Sequence, residues 1–419
     1  MYYKAKAGII SILNMGYTKI AVKGVSWIWL LNLFTRGISL LSIVIIARIL
    51  TPSEFGLYGI ALLAMALLEV LTETGVNVVL IQKSGELDEY IDSAWIVSIA
   101  RGIFIALMLI LLAPIVSFFF NTQNSTYLLL LIAIVPFLRG FINPSIIKFQ
   151  KYLDFQKEFW YKLSITFFGA FVSLALVILT KSVASLIYGM IAGVMLEIII
   201  SFAFLKPRPH FRIHRDYFFQ ILNKGKWITL SGIFNYLFHN FDNIVVGRIL
   251  GAGSLGLYQM AYRISMLPIT DVADVISKVT FPVYTLISGD KLRLRKAFFK
   301  TILFISAITL PFGVILLLFP YQIIALVLGQ NWLGIVDVLR VLAIFGVVRA
   351  ISGSTSALFL SVGKQKYVTV VTLVSIIGLA MTIVPLVITY GIYGAGISAL
   401  IGTLTALPFM LFFTIKTLR

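Results

Sequence analysis

Apolar stretches of roughly 20 residues recur along the whole chain, separated by short polar or basic segments. About 20 apolar residues in a helix cross the hydrocarbon core of a bilayer, so each stretch predicts one membrane-spanning helix. Twelve helices are predicted, near residues 25–47, 55–81, 93–120, 127–147, 160–180, 183–205, 226–250, 254–280, 298–320, 334–362, 368–390 and 393–415. The pattern therefore predicts an all-α polytopic membrane protein.

The composition supports this prediction. Of the 419 residues, 60% are hydrophobic and 12% are charged, whereas soluble domains have about 45–50% apolar and about 25% charged residues. These values exclude a soluble enzyme, a secreted disulfide scaffold and a disordered protein. Because the chain has no cysteine and only three histidines, we expect no metal site and no bound cofactor.

The basic residues are distributed unevenly between the two predicted membrane faces. Of the 34 Lys and Arg residues, 25 lie on or close to the face that holds the N-terminus, and six lie inside predicted helices, away from their ends. Arg48, Lys181 and Arg248 lie on the opposite face. Since cytoplasmic loops carry the excess of basic residues, both termini are predicted to be cytoplasmic. The net charge of +18 then indicates contact with membrane lipids and no nucleic-acid partner.

The chain divides into four predicted parts. Residues 1–24 carry lysines and apolar residues but no signal-peptide cleavage site, which predicts a segment lying in the membrane interface. Residues 25–205 form an N-lobe of six helices, and 226–419 form a C-lobe of six helices. Residues 206–225 form a basic cytoplasmic linker between the lobes.

An internal repeat relates the two lobes. Residues 44–61 (VIIARILTPSEFGLYGIA) and 244–261 (IVVGRILGAGSLGLYQMA) are identical at seven of 18 positions. Each lobe has an even number of spans, so both lobes enter the membrane in the same orientation. This predicts a parallel repeat about a pseudo-two-fold axis along the membrane normal, with a binding site between the lobes.

Residues 242–262 (DNIVVGRILGAGSLGLYQMAY), their counterpart 47–58 and residues 151–155 resemble the oligosaccharide/polysaccharide (Wzx-type O-antigen) flippases. These belong to the multidrug/oligosaccharidyl-lipid/polysaccharide exporter superfamily. The resemblance implies two six-helix lobes in a V around a central cavity, alternating access, and a polyprenyl-pyrophosphate-linked oligosaccharide as substrate. It also implies that the first, second, seventh and eighth helices line the cavity. Other polysaccharide-assembly membrane proteins are further candidate partners.

Polar side chains recur at helical spacing on these four helices, which places them on common helix faces. An ionisable residue within a span costs about 2.5–3.5 kcal/mol on insertion scales, so it needs a partner, a cavity or a function. The uncharged residues predicted to line the cavity are Asn32, Ser39, Asn235, Gln259 and Thr270.

The basic residues that lie away from the ends of the predicted spans are six arginines, Arg36, Arg101, Arg139, Arg263, Arg340 and Arg349, whereas the lysines lie at span ends or in loops. A guanidinium is permanently charged and binds phosphate oxygens in a fork, so arginine suits a pyrophosphate better than lysine. Arg36, Arg263 and Arg349 are the predicted pyrophosphate ligands. For Arg101 and Arg139, structural pairing between helices is an equally good explanation. Arg340 follows Asp337 by three residues, which predicts a local ion pair.

The predicted candidates for coupling to a proton or sodium gradient are Glu69, Glu73, His239, Asp242 and Asp274. Neighbouring acids can take up a proton or a sodium ion. The alternative, that these acids only balance nearby arginines, stays open at this point.

We therefore expect a non-enzymatic flippase in the bacterial cytoplasmic membrane, serving O-antigen, capsule or exopolysaccharide synthesis. A cation-coupled multidrug exporter of the same superfamily is the first alternative, although the arginine bias argues against it. A membrane polysaccharide polymerase or glycosyltransferase is the second, and the short predicted external loops disfavour it.

Overall fold

The computed structural model describes residues 17–76, 80, 88–212, 215–266 and 269–419, and within them it contains helices and no strands. The α-helices are α1 (Tyr17–Ile49), α2 (Pro52–Leu71), α3 (Asp88–Phe119), α4 (Ser125–Ile132), α5 (Ile134–Arg139), α6 (Ile147–Lys151), α7 (Phe155–Thr180), α8 (Ala184–Phe204), α9 (Arg215–Met266), α10 (Thr270–Leu286), α11 (Lys291–Leu318), α12 (Pro320–Val327), α13 (Val336–Ser361) and α14 (Gln365–Leu418). Two short 3-10 helices occupy Pro144–Ile146 and Gln330–Ile335.

Within the described residues, eight helices are long and apolar enough to cross a membrane, or nine if one bent pair counts as a single span. Large apolar side chains point outward from them, for example Leu41, Phe118 and Leu179, which are 69%, 82% and 79% exposed. Exposed apolar surface of this extent is rare on soluble monomers and fits contact with lipid. The chain is therefore a multi-pass membrane protein, while the number of twelve helices stays a prediction.

Helix α9 folds back on itself at Gly251. Gly251 has φ 81° and ψ 178°, a conformation that glycine reaches without a steric penalty. The Tyr258 hydroxyl on one side of the break donates a 2.8 Å hydrogen bond to Asp242 on the other side. The two segments therefore run antiparallel, and the break lies within the turn predicted at residues 251–253.

Helix α14 contains a second break of this kind, at Gly391, which has φ 61° and ψ −141°. Across the break, Gly394 lies against the backbone of Leu386, and Gly402 lies against Leu379. As residue numbers rise on one segment they fall on its neighbour, so the segments are antiparallel. The break again falls within a predicted turn, at residues 391–392.

Two predicted helices are not continuous. The helix predicted at 127–147 is divided, and the part Ser125–Arg139 makes an angle of 68° with Pro144–Lys151. The cause is local, because Asn143 is extended before Pro144 and its side chain accepts a hydrogen bond from the Ser145 amide. The helix predicted at 254–280 is interrupted between Met266 and Thr270.

The described residues form two compact units. The first comprises the described residues of Met1–Ile49, Ala64–Ala113 and Tyr127–Phe234. The second comprises those of Leu50–Leu63, Pro114–Thr126 and Asn235–Arg419. The lobe boundaries and the linker at 206–225 stay predictions, and most of the predicted interfacial segment 1–24 lies outside the described residues.

Residues 50–61 of the first repeat copy and residues 244–261 of the second lie in the second unit and pack against each other. A Cβ atom on Gly56 would clash with the carbonyl oxygen of Ala252, and one on Gly256 would clash with that of Pro52. The two contacts are reciprocal, since Pro52 and Ala252, like Gly56 and Gly256, are 200 residues apart. Reciprocal contacts are the arrangement expected of segments related by a two-fold axis. The repeat of the complete lobes stays a prediction.

We expect Gly256→Ala to destabilise the protein by about 1–3 kcal/mol, because the added methyl group would meet backbone atoms that cannot rotate away. Gly253→Ala is the matched control, since its Cβ would meet nothing within 4 Å. Thermal unfolding of the purified variants in one detergent measures the difference. Equal melting temperatures for the two variants would contradict the close contact.

Candidate transport site

A cavity of about 200 Å³ lies inside the second unit, between α9, α13 and α14. Arg349 contributes the one guanidinium among the residues that line it, and Asp242 contributes the one carboxylate. Hydroxyl groups make up most of the remaining polar lining, from Ser352, Thr355, Ser356, Thr372, Ser375 and Thr403. The cavity therefore combines a fixed positive charge with many neutral hydrogen-bonding groups.

The Arg349 guanidinium is held by neutral groups. Its Nη1 donates a 2.8 Å hydrogen bond to the Tyr262 hydroxyl. The rings of Phe345 and Phe238 lie 5.7 and 6.0 Å from its central carbon, within the range of a cation–π contact. These contacts fix the orientation of the guanidinium without neutralising its charge.

His239 lies on the other side of the guanidinium, with Nδ1 at 3.3 Å from Arg349 Nη2. Because a guanidinium can only donate, Nδ1 must accept this hydrogen bond. The ring is then neutral, with its proton on Nε2. His239 is one of the predicted coupling residues, and the structure places it in direct contact with a predicted pyrophosphate ligand.

Asp242 is buried and has its own set of neutral donors. It accepts a 2.8 Å hydrogen bond from the buried Tyr258 hydroxyl, together with 2.8 and 3.1 Å bonds from the amide groups of Asn243. Within the described part of the chain, no carboxylate oxygen lies within 4 Å of Arg349. The positive charge of Arg349 is therefore available to an anion that enters the cavity.

The other predicted cavity residues lie elsewhere. Arg36, Asn32 and Ser39 are half-buried on α1, in the first unit. Asn235 and Arg263 are exposed on α9, outside the lining of the cavity. Gln259 is half-buried, with its side chain against Gly59. Thr270 and Asp274 belong to α10, and their side chains lie outside those that the structure describes.

The first unit contains two arginine–glutamate pairs. Arg101 Nη2 lies 3.0 Å from Glu73 Oε2, and Arg139 Nη1 lies 2.6 Å from Glu69 Oε1. Arg101 also donates to the backbone carbonyl of Glu69, at 2.6 Å, near the end of α2 where carbonyl groups lack helical partners. Pairing between helices, one of the two explanations left open by the sequence, is thus present for both arginines.

The structure offers little for a metal ion. Within the described residues, no group of three or more His, Asp or Glu side chains is arranged to hold one. Asp242 in the cavity accepts a hydrogen bond from Tyr258, and Glu73 and Glu69 in the first unit pair with Arg101 and Arg139.

Comparison with known proteins identifies relatives over most of the chain. A family model described as "Polysaccharide biosynthesis protein" matches residues 45–337. An uncharacterized membrane protein in the cps region of Klebsiella pneumoniae is 27% identical over 399 residues, covering 91% of this chain and 79% of the relative. The lipopolysaccharide biosynthesis protein WzxC of Escherichia coli K12 is 24% identical over 355 residues, covering 81% and 70%.

The fold is also similar to that of solved transporters. The lipid II flippase MurJ, in an inward closed conformation, superposes with a TM-score of 0.74 at 17% sequence identity, and the match covers 93% of this chain and 88% of that one. Similarity at this level of identity establishes the shared fold.

Proposed function

Because the chain belongs to the polysaccharide biosynthesis protein family, we propose that it flips a polyprenyl-pyrophosphate-linked oligosaccharide across the bacterial cytoplasmic membrane by alternating access. The observation that carries the proposal is the Arg349 cavity, in which a guanidinium faces hydroxyl groups and has no carboxylate within 4 Å among the described residues. The names of the relatives, which include a lipopolysaccharide biosynthesis protein and a lipid II flippase, support it.

The chemistry of this substrate matches the lining of the cavity. A diphosphate cannot cross hydrocarbon without a large desolvation cost, so a flippase must replace its hydration with protein groups. Arg349 offers guanidinium N–H groups beyond those bonded to Tyr262 and His239. Serine and threonine hydroxyls can both donate to phosphate oxygens and bond to sugar hydroxyls. The apolar tail of the substrate can stay in the bilayer throughout.

Arg36 and Arg263 are proposed as further pyrophosphate ligands, on the basis of their positions on the polar stripes of the sequence. Each lies on a helix that the family resemblance assigns to the cavity. The uneven distribution of basic residues supports a cytoplasmic position for both termini.

Reconstitution into liposomes tests the function directly. Purified protein is inserted into vesicles that contain a lipid-linked oligosaccharide, and a membrane-impermeant glycosidase added outside measures how much glycan reaches the outer leaflet. We expect wild-type protein to expose the inner-leaflet pool within minutes, while protein-free vesicles leave it protected. Protection that persists with folded protein would overturn the proposal, and uptake of organic cations by the same vesicles would favour a multidrug exporter.

A further inference from the structure

The first turns of α11 carry a dense cluster of basic side chains, Lys291, Arg293, Arg295, Lys296 and Lys300. Arg293 is paired with Asp290 at 3.2 Å. Lys291 donates to the carbonyl oxygen of Arg419 at 2.9 Å. The other three are exposed, and in the described part of the chain none of them has a carboxylate within 4 Å. Three cations thus remain unneutralised where a membrane-spanning helix begins.

Two grooves lie on adjacent faces of this helix. The first, of about 360 Å³, lies between α11 and the last turns of α14, and its apolar walls include Ile302, Met410 and Ile415. The second, of about 530 Å³, runs along the adjacent, exposed face of α11 and is lined by Leu292, Lys296, Lys300 and Leu303. Arg295 and Phe299 line both grooves.

Helical spacing explains why the grooves meet at one cation. Arg295 and Phe299 are four residues apart and therefore lie one turn apart on the same face. The Arg295 guanidinium lies 5.9 Å from the centre of the Phe299 ring. These two side chains form a ridge between the grooves, with the guanidinium at the polar end and the apolar walls extending along the helix toward the membrane.

We propose that this surface is a binding site for an anionic diacyl phospholipid. The lipid phosphate lies against Arg295, with Lys296 and Lys300 beside it, and one acyl chain occupies each groove on the two sides of Phe299. The apolar walls argue for a lipid over a free phosphate. The pair of grooves that meet at one cation argues for a two-chain lipid over a single-chain polyprenyl phosphate. Basic residues at the cytoplasmic end of membrane helices commonly bind such headgroups.

Binding of defined lipids to the purified protein in detergent tests the site. Native mass spectrometry measures the affinity for phosphatidylglycerol, for phosphatidylcholine with the same acyl chains, for undecaprenyl phosphate and for glycerol phosphate. We expect phosphatidylglycerol to bind at least tenfold more tightly than the other three. Each basic side chain near an anionic headgroup contributes about fivefold in affinity. The double substitution Arg295→Gln with Lys300→Gln should therefore weaken phosphatidylglycerol binding by about 25-fold.

The matched control is the double substitution Lys206→Gln with Lys366→Gln. It removes the same charge from exposed positions on the same predicted membrane face, outside both grooves. We expect it to change the affinity less than twofold. Equal weakening by both double variants would overturn the site, because it would show a general effect of charge.

Three further outcomes would also overturn the assignment. Equal affinities for phosphatidylglycerol and phosphatidylcholine would show that the basic side chains do not contribute to binding. An affinity for glycerol phosphate equal to that for phosphatidylglycerol would show that the apolar grooves do not contribute to binding. Tighter binding of undecaprenyl phosphate than of phosphatidylglycerol would identify a single-chain lipid as the occupant. Melting temperatures without added lipid confirm that each variant is folded. This test does not depend on flippase activity, so its failure leaves the proposed function standing.

Discussion

Replacement of Arg349 by alanine is expected to lower the rate of glycolipid flipping by about 10- to 100-fold. A hydrogen bond to a charged group contributes about 1.5–3 kcal/mol, and each 1.4 kcal/mol corresponds to a factor of ten. In the cavity Arg349 is the one cation, and no carboxylate among the described residues pairs with it. The rate of glycan exposure in proteoliposomes, at equal protein density, measures the loss.

Two further variants separate the charge of Arg349 from its shape. Arg349→Lys keeps the charge but loses the planar fork, so we expect an intermediate rate. Ser352→Glu places a carboxylate three residues along the same helix face, where it can pair with the intact arginine and block anion binding. Arg340→Ala is the control, because Arg340 already pairs with Asp337 at 3.2 Å and lies outside the cavity. A wild-type rate in Arg349→Ala would contradict the assigned role.

The architecture was largely accessible from the sequence, because lipid imposes a simple pattern. Uninterrupted apolar stretches predicted the long helices, and short glycine-containing segments predicted the breaks found at Gly251 and Gly391. The ion pair between Asp337 and Arg340 also followed from spacing along one helix and is confirmed. The broken helix around Pro144 was missed, since its flanking residues are apolar and hydropathy does not register a change of direction.

The partners of the buried charges were less accessible. The sequence could suggest that Arg101 and Arg139 pair with acids, but only the packing of helices brings them to Glu73 and Glu69. Likewise, only the packing of helices brings Glu197 to the Tyr161 hydroxyl, which donates a 3.4 Å hydrogen bond to it. Contacts between residues far apart in sequence depend on tertiary packing, which a single-helix pattern does not contain.

The hydroxyl lining of the Arg349 cavity is only partly accessible from the sequence. Ser352 and Ser356 follow Arg349 at helical spacing, so the sequence alone is enough to place them on the same side of α13 as Arg349. Thr372, Ser375 and Thr403 come from α14 and were missed. Serine and threonine are common in membrane helices, where their hydroxyls bond to the preceding turn, so they give no distinctive signal. The fold-back of α14 at Gly391 is what brings these three toward one cavity.

The second large effect concerns coupling to an ion gradient, which we propose to reside in the second unit. Glu69 and Glu73 each face a guanidinium at 2.6 and 3.0 Å, so a fixed charge already balances them. Asp242 is bonded by the neutral donors Tyr258 and Asn243. A carboxylate that is not in a direct ion pair is the better place for a transported proton or sodium ion, and His239 lines the same cavity.

We therefore expect Asp242→Asn to abolish the response of flipping to an imposed gradient. For one proton exchanged per substrate, a gradient of one pH unit supports about a tenfold unequal distribution of glycolipid between the leaflets. The asparagine variant should reduce this ratio to one while still equilibrating the leaflets.

The control, Glu69→Gln with Arg139→Gln, removes an acid and its partner together and should keep the tenfold ratio. Sodium gradients are imposed in parallel. If wild-type protein ignores both gradients, coupling is excluded, and if only the control loses its response, coupling resides in the first unit.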